Sequence, residues 1–187
     1  MGMRVVFLGL VTALSLAGCG AGLQLEAGHT LFRALPGSEF TLHADIIIPP
    51  GRLRASFQGG ELLNGASEFE PRCELEVRKV METAQTIPAG HFRIGKVRGV
   101  QRYVRQPGAN MLAAAGGAMQ LADDSSNEWY MYTYHMQLLS EEQAEPPVLI
   151  CGGAYNYPFY ARYPTLQEIR EALGDYASLT LAGEAAD

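Results

Sequence analysis

The chain has 187 residues, 14 of them Lys or Arg against 20 Asp or Glu, and a formal net charge of −6. That length is enough for one domain with its own core. The acidic balance excludes a charge-driven grip on nucleic acid or on anionic lipid head groups.

The first element is Met1 to Cys19. Arg4 lies in a short basic start, Val5 to Leu16 form an apolar run too short to span a bilayer, and Leu16-Ala17-Gly18-Cys19 closes it. A charged start, an apolar middle and small residues before a cut read as a secretory signal rather than a transmembrane helix. Leu-Ala-Gly-Cys resembles the lipobox of bacterial lipoproteins; the alternative is a plain secretory signal with an incidental Cys19. The resemblance implies removal of residues 1–18, diacylation of the Cys19 sulfur and acylation of its freed amine. One acyl chain holds only marginally, at about 0.8 kcal/mol per buried methylene, but two or three anchor durably. The membrane is therefore an expected partner, through palmitate-like chains on Cys19. Gly20, where inner-membrane lipoproteins of enterobacteria carry Asp, implies the outer membrane, facing the periplasm.

Cys19 to Ser38 read as a lipidated residue and a tether, and residues 39–183 as the domain. Leu42, Ala44, Ile46 and Ile48 alternate with Thr41, His43, Asp45 and Ile47, a strand period. Pro49-Pro50-Gly51 then turns the chain into a strand with Leu53, Ala55 and Phe57 on one face. Glu61 to Leu63 form a short strand, and Cys73, Leu75 and Val77 alternate with Glu74, Glu76 and Arg78. Ile48, Pro49, Gly51, Arg54 and Gly60 recur in order as Ile87, Pro88, Gly90, Arg93 and Gly99. Such an echo suits a duplicated hairpin, or simply two uses of Pro-x-Gly as a corner. Met111 to Ser126 break the pattern with a Gly116-Gly117 pair and a polar end, and read as the longest connection.

Glu128 to Leu139 carry the strongest strand signal. Tyr130, Tyr132, Tyr134, Met136 and Leu138 face one way and run into plainly apolar residues, which assigns them to the core. Trp129, Met131, Thr133 and His135 face the other way, on an outer face partly covered by the aromatic stretch 155–163. Val148 to Cys151 read as a short buried strand. Thr165 caps a helix near 166–173, with Glu168 placed for a capping box and Gly174 as the stop. Tyr176 to Leu181 return to strand alternation, and residues 184–187 form an acidic tail. The expected fold is mainly β, an antiparallel β-sandwich or flattened barrel with one C-terminal α-helix; the runner-up is a closed barrel around a small ligand.

With Cys19 taken by lipid, Cys73 and Cys151 remain in an oxidising compartment, and one disulfide between them is the simplest account; two separate buried thiols are the alternative. His29, His43, His91 and His135 have no metal-ligand spacing, so no metal is expected. No Gly-x-Ser-x-Gly turn or Walker loop is present, so no catalytic residue and no cofactor are assigned. Arg52, Arg54, Arg93, Arg98, Arg102 and Arg105 are either a positive patch or scattered solvated charges.

The lipobox together with Ile-Pro-Pro-Gly, Phe-Gln-Gly-Gly, Glu-Pro-Arg-Cys, Ile-Pro-Ala-Gly-His-Phe and Thr-Leu-Gln-Glu-Ile-Arg-Glu-Ala-Leu-Gly resembles uncharacterised envelope lipoproteins of proteobacteria. The expected function is a non-enzymatic envelope lipoprotein that binds a protein or cell-wall partner. Its candidate surface is Trp129, Met131, Tyr155, Tyr157, Phe159 and Tyr160. A carrier of a small apolar ligand and a hydrolase with carboxylates distant in sequence are the alternatives.

Overall fold

The computed structural model describes residues 29–105 and 128–184. Residues 1–28, with the expected lipobox, 106–127, with the expected glycine-rich connection, and 185–187 of the expected tail lie outside the described residues. The elements are α1 (His29–Ala34), β1 (Glu39–Leu42), β2 (Ile46–Ile48), β3 (Arg54–Gln58), β4 (Glu61–Leu63) and β5 (Arg72–Glu76). There follow β6 (Gln85–Ile87), β7 (Gly90–Arg105), β8 (Glu128–Leu139), β9 (Val148–Gly152), α2 (Leu166–Leu173), a 3-10 turn (Gly174–Tyr176) and β10 (Ala177–Thr180). Eight strands make one sheet in the order β10-β1-β7-β8-β9-β5-β3-β4, with every pairing antiparallel, and β2 pairs with β6 separately.

The large sheet curls, so its two faces are unequal. Phe40, Leu42, Phe57, Leu75, Phe92, Ile94, Tyr134, Met136, Leu138 and Leu149 point inward and are buried in one cluster. Full burial of such a side chain contributes roughly 1.5–3 kcal/mol before entropy is counted. The fold is thus mainly β with one C-terminal helix, and of the two expected forms it takes the flattened barrel: one curled layer rather than two stacked sheets.

Helix α2 closes the barrel. Thr165 accepts from Glu168 N, and the Glu168 carboxylate accepts from Thr165 N, the capping box expected from the sequence. Ile169, Ala172 and Leu173 are the buried face, packed against β3, β5 and β10 and so spanning both ends of the strand order. At the seam Gly60 N donates to the Ala172 carbonyl at 3.3 Å. Gly60 and Gly174 have φ of +81° and +52°. A Cβ on Gly174 would sit 2.5 Å from Gly60 Cα, so this backbone-on-backbone closure admits only glycine.

Cys73 and Cys151 face each other across β5 and β9 with their sulfurs 2.06 Å apart, a disulfide buried in the core. It closes a loop of 78 residues, for which chain entropy gives roughly 4.5 kcal/mol as a model-dependent upper figure.

Four features differ from the sequence reading. The single strand expected from Leu42 to Ile48 is two strands in different sheets. His43 N donates to the Tyr176 carbonyl and Asp45 Oδ1 accepts from Ala89 N at 2.8 Å, and these bonds turn the chain between them. The repeated Ile-Pro-x-Gly segments are not hairpins either. Each ends a strand of the small sheet and feeds a strand of the large one, and β2 and β6 pair with each other, Ile46 opposite Ile87. Finally, the folded body reaches back into the expected tether: α1 delivers Leu31 and the following Leu35 to the core, Leu35 with no exposed surface. At the other end Glu184 is held by Arg170 and by Leu181 N rather than lying free in a tail.

Candidate functional site

Strands β7 and β8 pair from Arg93–Leu139 to Arg105–Glu128, but their neighbours are shorter. Strand β1 reaches only Arg93, and β9 covers only Thr133 to Gln137. Beyond those limits β7 and β8 project as a two-stranded arm. A backbone bridge steadies its β8 side: Tyr130 N donates to the Asn156 carbonyl at 2.8 Å, and Asn156 N returns the bond at 2.9 Å.

On the outer face of the arm, the rings of Trp129 and Tyr157 stack with centroids 4.7 Å apart, and Phe69 meets Trp129 edge-on at 5.5 Å. Phe69 also lies 6.5 Å from Tyr155. Phe69 is 60% exposed, Tyr157 47%, Tyr160 71% and Phe159 96%. Beneath them Met131 and Tyr155 are buried. Arg72, itself buried, runs under the cluster, donating to the Ser67 carbonyl and to Met131 Sδ and pairing with Glu74 and Glu68. The platform therefore rests on strands and on a neutralised guanidinium. Gly152 makes room for it, since a Cβ there would meet Thr133 Cγ2 at 3.0 Å and Met131 Sδ at 3.3 Å.

The inner face of the arm is a tyrosine ladder. Tyr163 stacks on Tyr134 at 4.5 Å and lies 5.2 Å from Tyr132; Tyr103 lies 6.2 Å from Tyr130. Gly99 lets Tyr163 in, because a Cβ there would lie 2.2 Å from its hydroxyl. Burial, with the Tyr163 phenol beside it, holds the Tyr134 hydroxyl un-ionised well above the ordinary tyrosine range. The Tyr130 phenol is raised too, first by its hydrogen bond to Glu128.

The sequence reading of this strand is right in alternation and wrong in depth. Tyr134, Met136 and Leu138 enter the core as expected, but Tyr130 and Tyr132 are only half-buried because the barrel ends before reaching them. Met131 and Tyr155, expected at the binding surface, are buried, Met131 against Arg72 and Gly152 and Tyr155 against Phe69, and present almost no contact area. Trp129 and Tyr157 come together, and Phe159 and Tyr160 stand beside Tyr157 in sequence, fully open. The reading missed Phe69, whose signal was a lone aromatic between Glu68 and Glu70 in a polar loop. It also missed Tyr103 and Val104, exposed opposite Tyr130 and Trp129.

The arginines do not form one patch. Arg52 donates to the Asn64 carbonyl, and Arg54 is clamped by Glu74 and Glu76. Arg98 and Arg102 lie on the outer face of β7, opposite His135 and Met131. Burial first, then the Arg102 charge, lowers the His135 pKa, and among the described residues its buried Nε2 has no hydrogen-bond partner. A cleft of about 730 Å³ lies elsewhere, an open trough at the start of β7 lined by Glu39, His91, Arg93, Glu141 and Glu142. Among the described residues no cluster of three or more His, Cys, Asp or Glu is placed to hold a metal, and no helix is long and apolar enough to cross a membrane.

No family model matches the chain, and no curated protein or solved structure matches it significantly.

Proposed function

We propose that the chain is a lipid-anchored envelope lipoprotein of the proteobacterial kind, non-enzymatic, whose domain holds a protein or cell-wall partner through the aromatic end of the β7–β8 arm. The observation that carries this reading is the stacked Trp129–Tyr157 pair with Phe69 at its edge, exposed yet mounted on a rigid sheet. Large aromatic area already held in place gains contact energy on binding at little entropic cost. The lipobox supplies the anchor, and the Cys73–Cys151 bond suits an oxidising compartment. The curled sheet's interior is filled by Phe40, Phe57, Phe92 and Tyr134, which favours this reading over an apolar carrier. Two experiments test it. Cys19→Ala should move the protein from the membrane fraction to the soluble one; continued sedimentation after alkaline wash would refute the anchor. A photo-crosslinking residue at Phe159 should trap a partner in intact cells, and Trp129→Ala should abolish the adduct; an undiminished adduct would refute the platform.

A further inference from the structure

We propose that the free edge of β7, from Gly99 to Tyr103, is a second docking site that takes an extended acidic peptide as an added antiparallel or parallel strand. Among the described residues, nothing pairs with this side of β7 beyond Ile94, whose N–H and C=O are taken by Ser38 and Gly37. On the other side the register fixes which backbone groups are spent. Tyr130 gives both its groups to Asn156 and Tyr132 gives its carbonyl to Gly153 N, so neither bonds β7. By the alternation of an antiparallel ladder, their β7 partners Tyr103 and Gln101, and Gly99 opposite Tyr134, direct N–H and C=O away from β8. All three are exposed. A row of unspent backbone groups on a long strand is what an incoming strand needs.

Charge selects the occupant. Arg54 and Arg72, on the same outer face, are each paired with glutamates. Arg98 is exposed and Arg102 half-buried, and no carboxylate lies within ion-pair distance of either among the described residues. Side chains of an added strand facing outward stand about 4.5–5.5 Å from Arg98 and Arg102, Cβ to Cβ. Acidic residues there complete the pairing, while a second copy of β7 would set arginine against arginine. The alternate positions of the peptide face the tyrosine side, beside Tyr103, and suit apolar residues. The occupant is thus a segment alternating Asp or Glu with apolar residues. This inference does not rest on the aromatic platform: loss of crosslinking from Phe159 with peptide binding intact would sink that reading and leave this one.

The test uses the mature chain and a soluble peptide of alternating Glu and Val, with a Lys-Val peptide as the control. Binding of the Glu-Val peptide should slow amide exchange at Gly99, Gln101 and Tyr103 and weaken with salt. Arg98→Glu with Arg102→Glu should raise its Kd at least tenfold and admit the Lys-Val peptide. Gln101→Pro, which removes an edge donor but no bond to β8, should also abolish binding. Protection of these three amides in the free monomer, concentration-dependent self-pairing through this edge, or equal binding of the two peptides would each overturn the proposal.

Discussion

On the β9-β5-β3 flank of the sheet, charges and edges are closed off. Arg54 and Arg72 are held by Glu68, Glu74 and Glu76, a disulfide ties β5 to β9, and α2 seals the gap between the outer strands. The β7–β8 arm is built from the same kind of alternating strand but is left unfinished. Among the described residues Arg98 and Arg102 have no carboxylate within ion-pair distance and the outer edge of β7 beyond Ile94 is unpaired, and aromatic rings stand in solvent. The same backbone supports both flanks, so the difference lies in side chains that spend their bonds internally on one flank and keep them on the other. Stability is concentrated where the chain is closed, and the proposed binding draws on the part that is not.

The strongest way to break the comparison is to open the closed flank. Cys73→Ala with Cys151→Ala should cost up to roughly 4.5 kcal/mol, read as a lowered denaturant midpoint, while Phe159 keeps its crosslink in whatever fraction remains folded. Next is Gly99→Val, which expels the Tyr163 ring from above Tyr134. Overpacking of this kind costs about 1–3 kcal/mol, and near-ultraviolet circular dichroism should lose its tyrosine signal. Trp129→Ala should cost only about 1–2 kcal/mol, since the ring is half-exposed, yet abolish binding; thermal melts beside the crosslinking assay separate the two effects.

The smallest effect is electrostatic and belongs to the closed flank. The Arg162 guanidinium first, and Thr165 N–H after it, hold the Glu168 carboxyl down at about 2 from an ordinary 4.5. As pH falls, the unfolded chain takes up that proton before the folded one does. The stabilisation is complete above about pH 4.5 and is lost on the way to pH 2. Melts across that window should show the loss, and Arg162→Ala should flatten it.

Much of this was legible in the chain itself. Period-two alternation placed the strands, Thr165 and Glu168 announced the helix cap, and two leftover cysteines on strands pointed to each other. What was not legible depended on strand length in the assembled sheet. Nothing in Tyr130 or Tyr132 says that the barrel stops before them, and nothing in Met131 says that Arg72, from a distant strand, packs onto its sulfur. Phe69 joins Trp129 only because β3 and β5 bring a distant loop across the sheet. Asp45 ends β1 by bonding Ala89, a partner no local pattern reveals.

The account rests on the aromatic end being the docking surface, and the chain supplies its own probe, since Trp129 is its single tryptophan. The domain should be titrated with soluble peptidoglycan fragments and, separately, with a tryptophan-depleted detergent extract of outer-membrane proteins while tryptophan emission is followed. A saturable change in emission with one of the two, lost in Tyr157→Ala, is the predicted result. Saturable binding detected by another method with Trp129 emission unmoved would place the partner elsewhere and contradict the account.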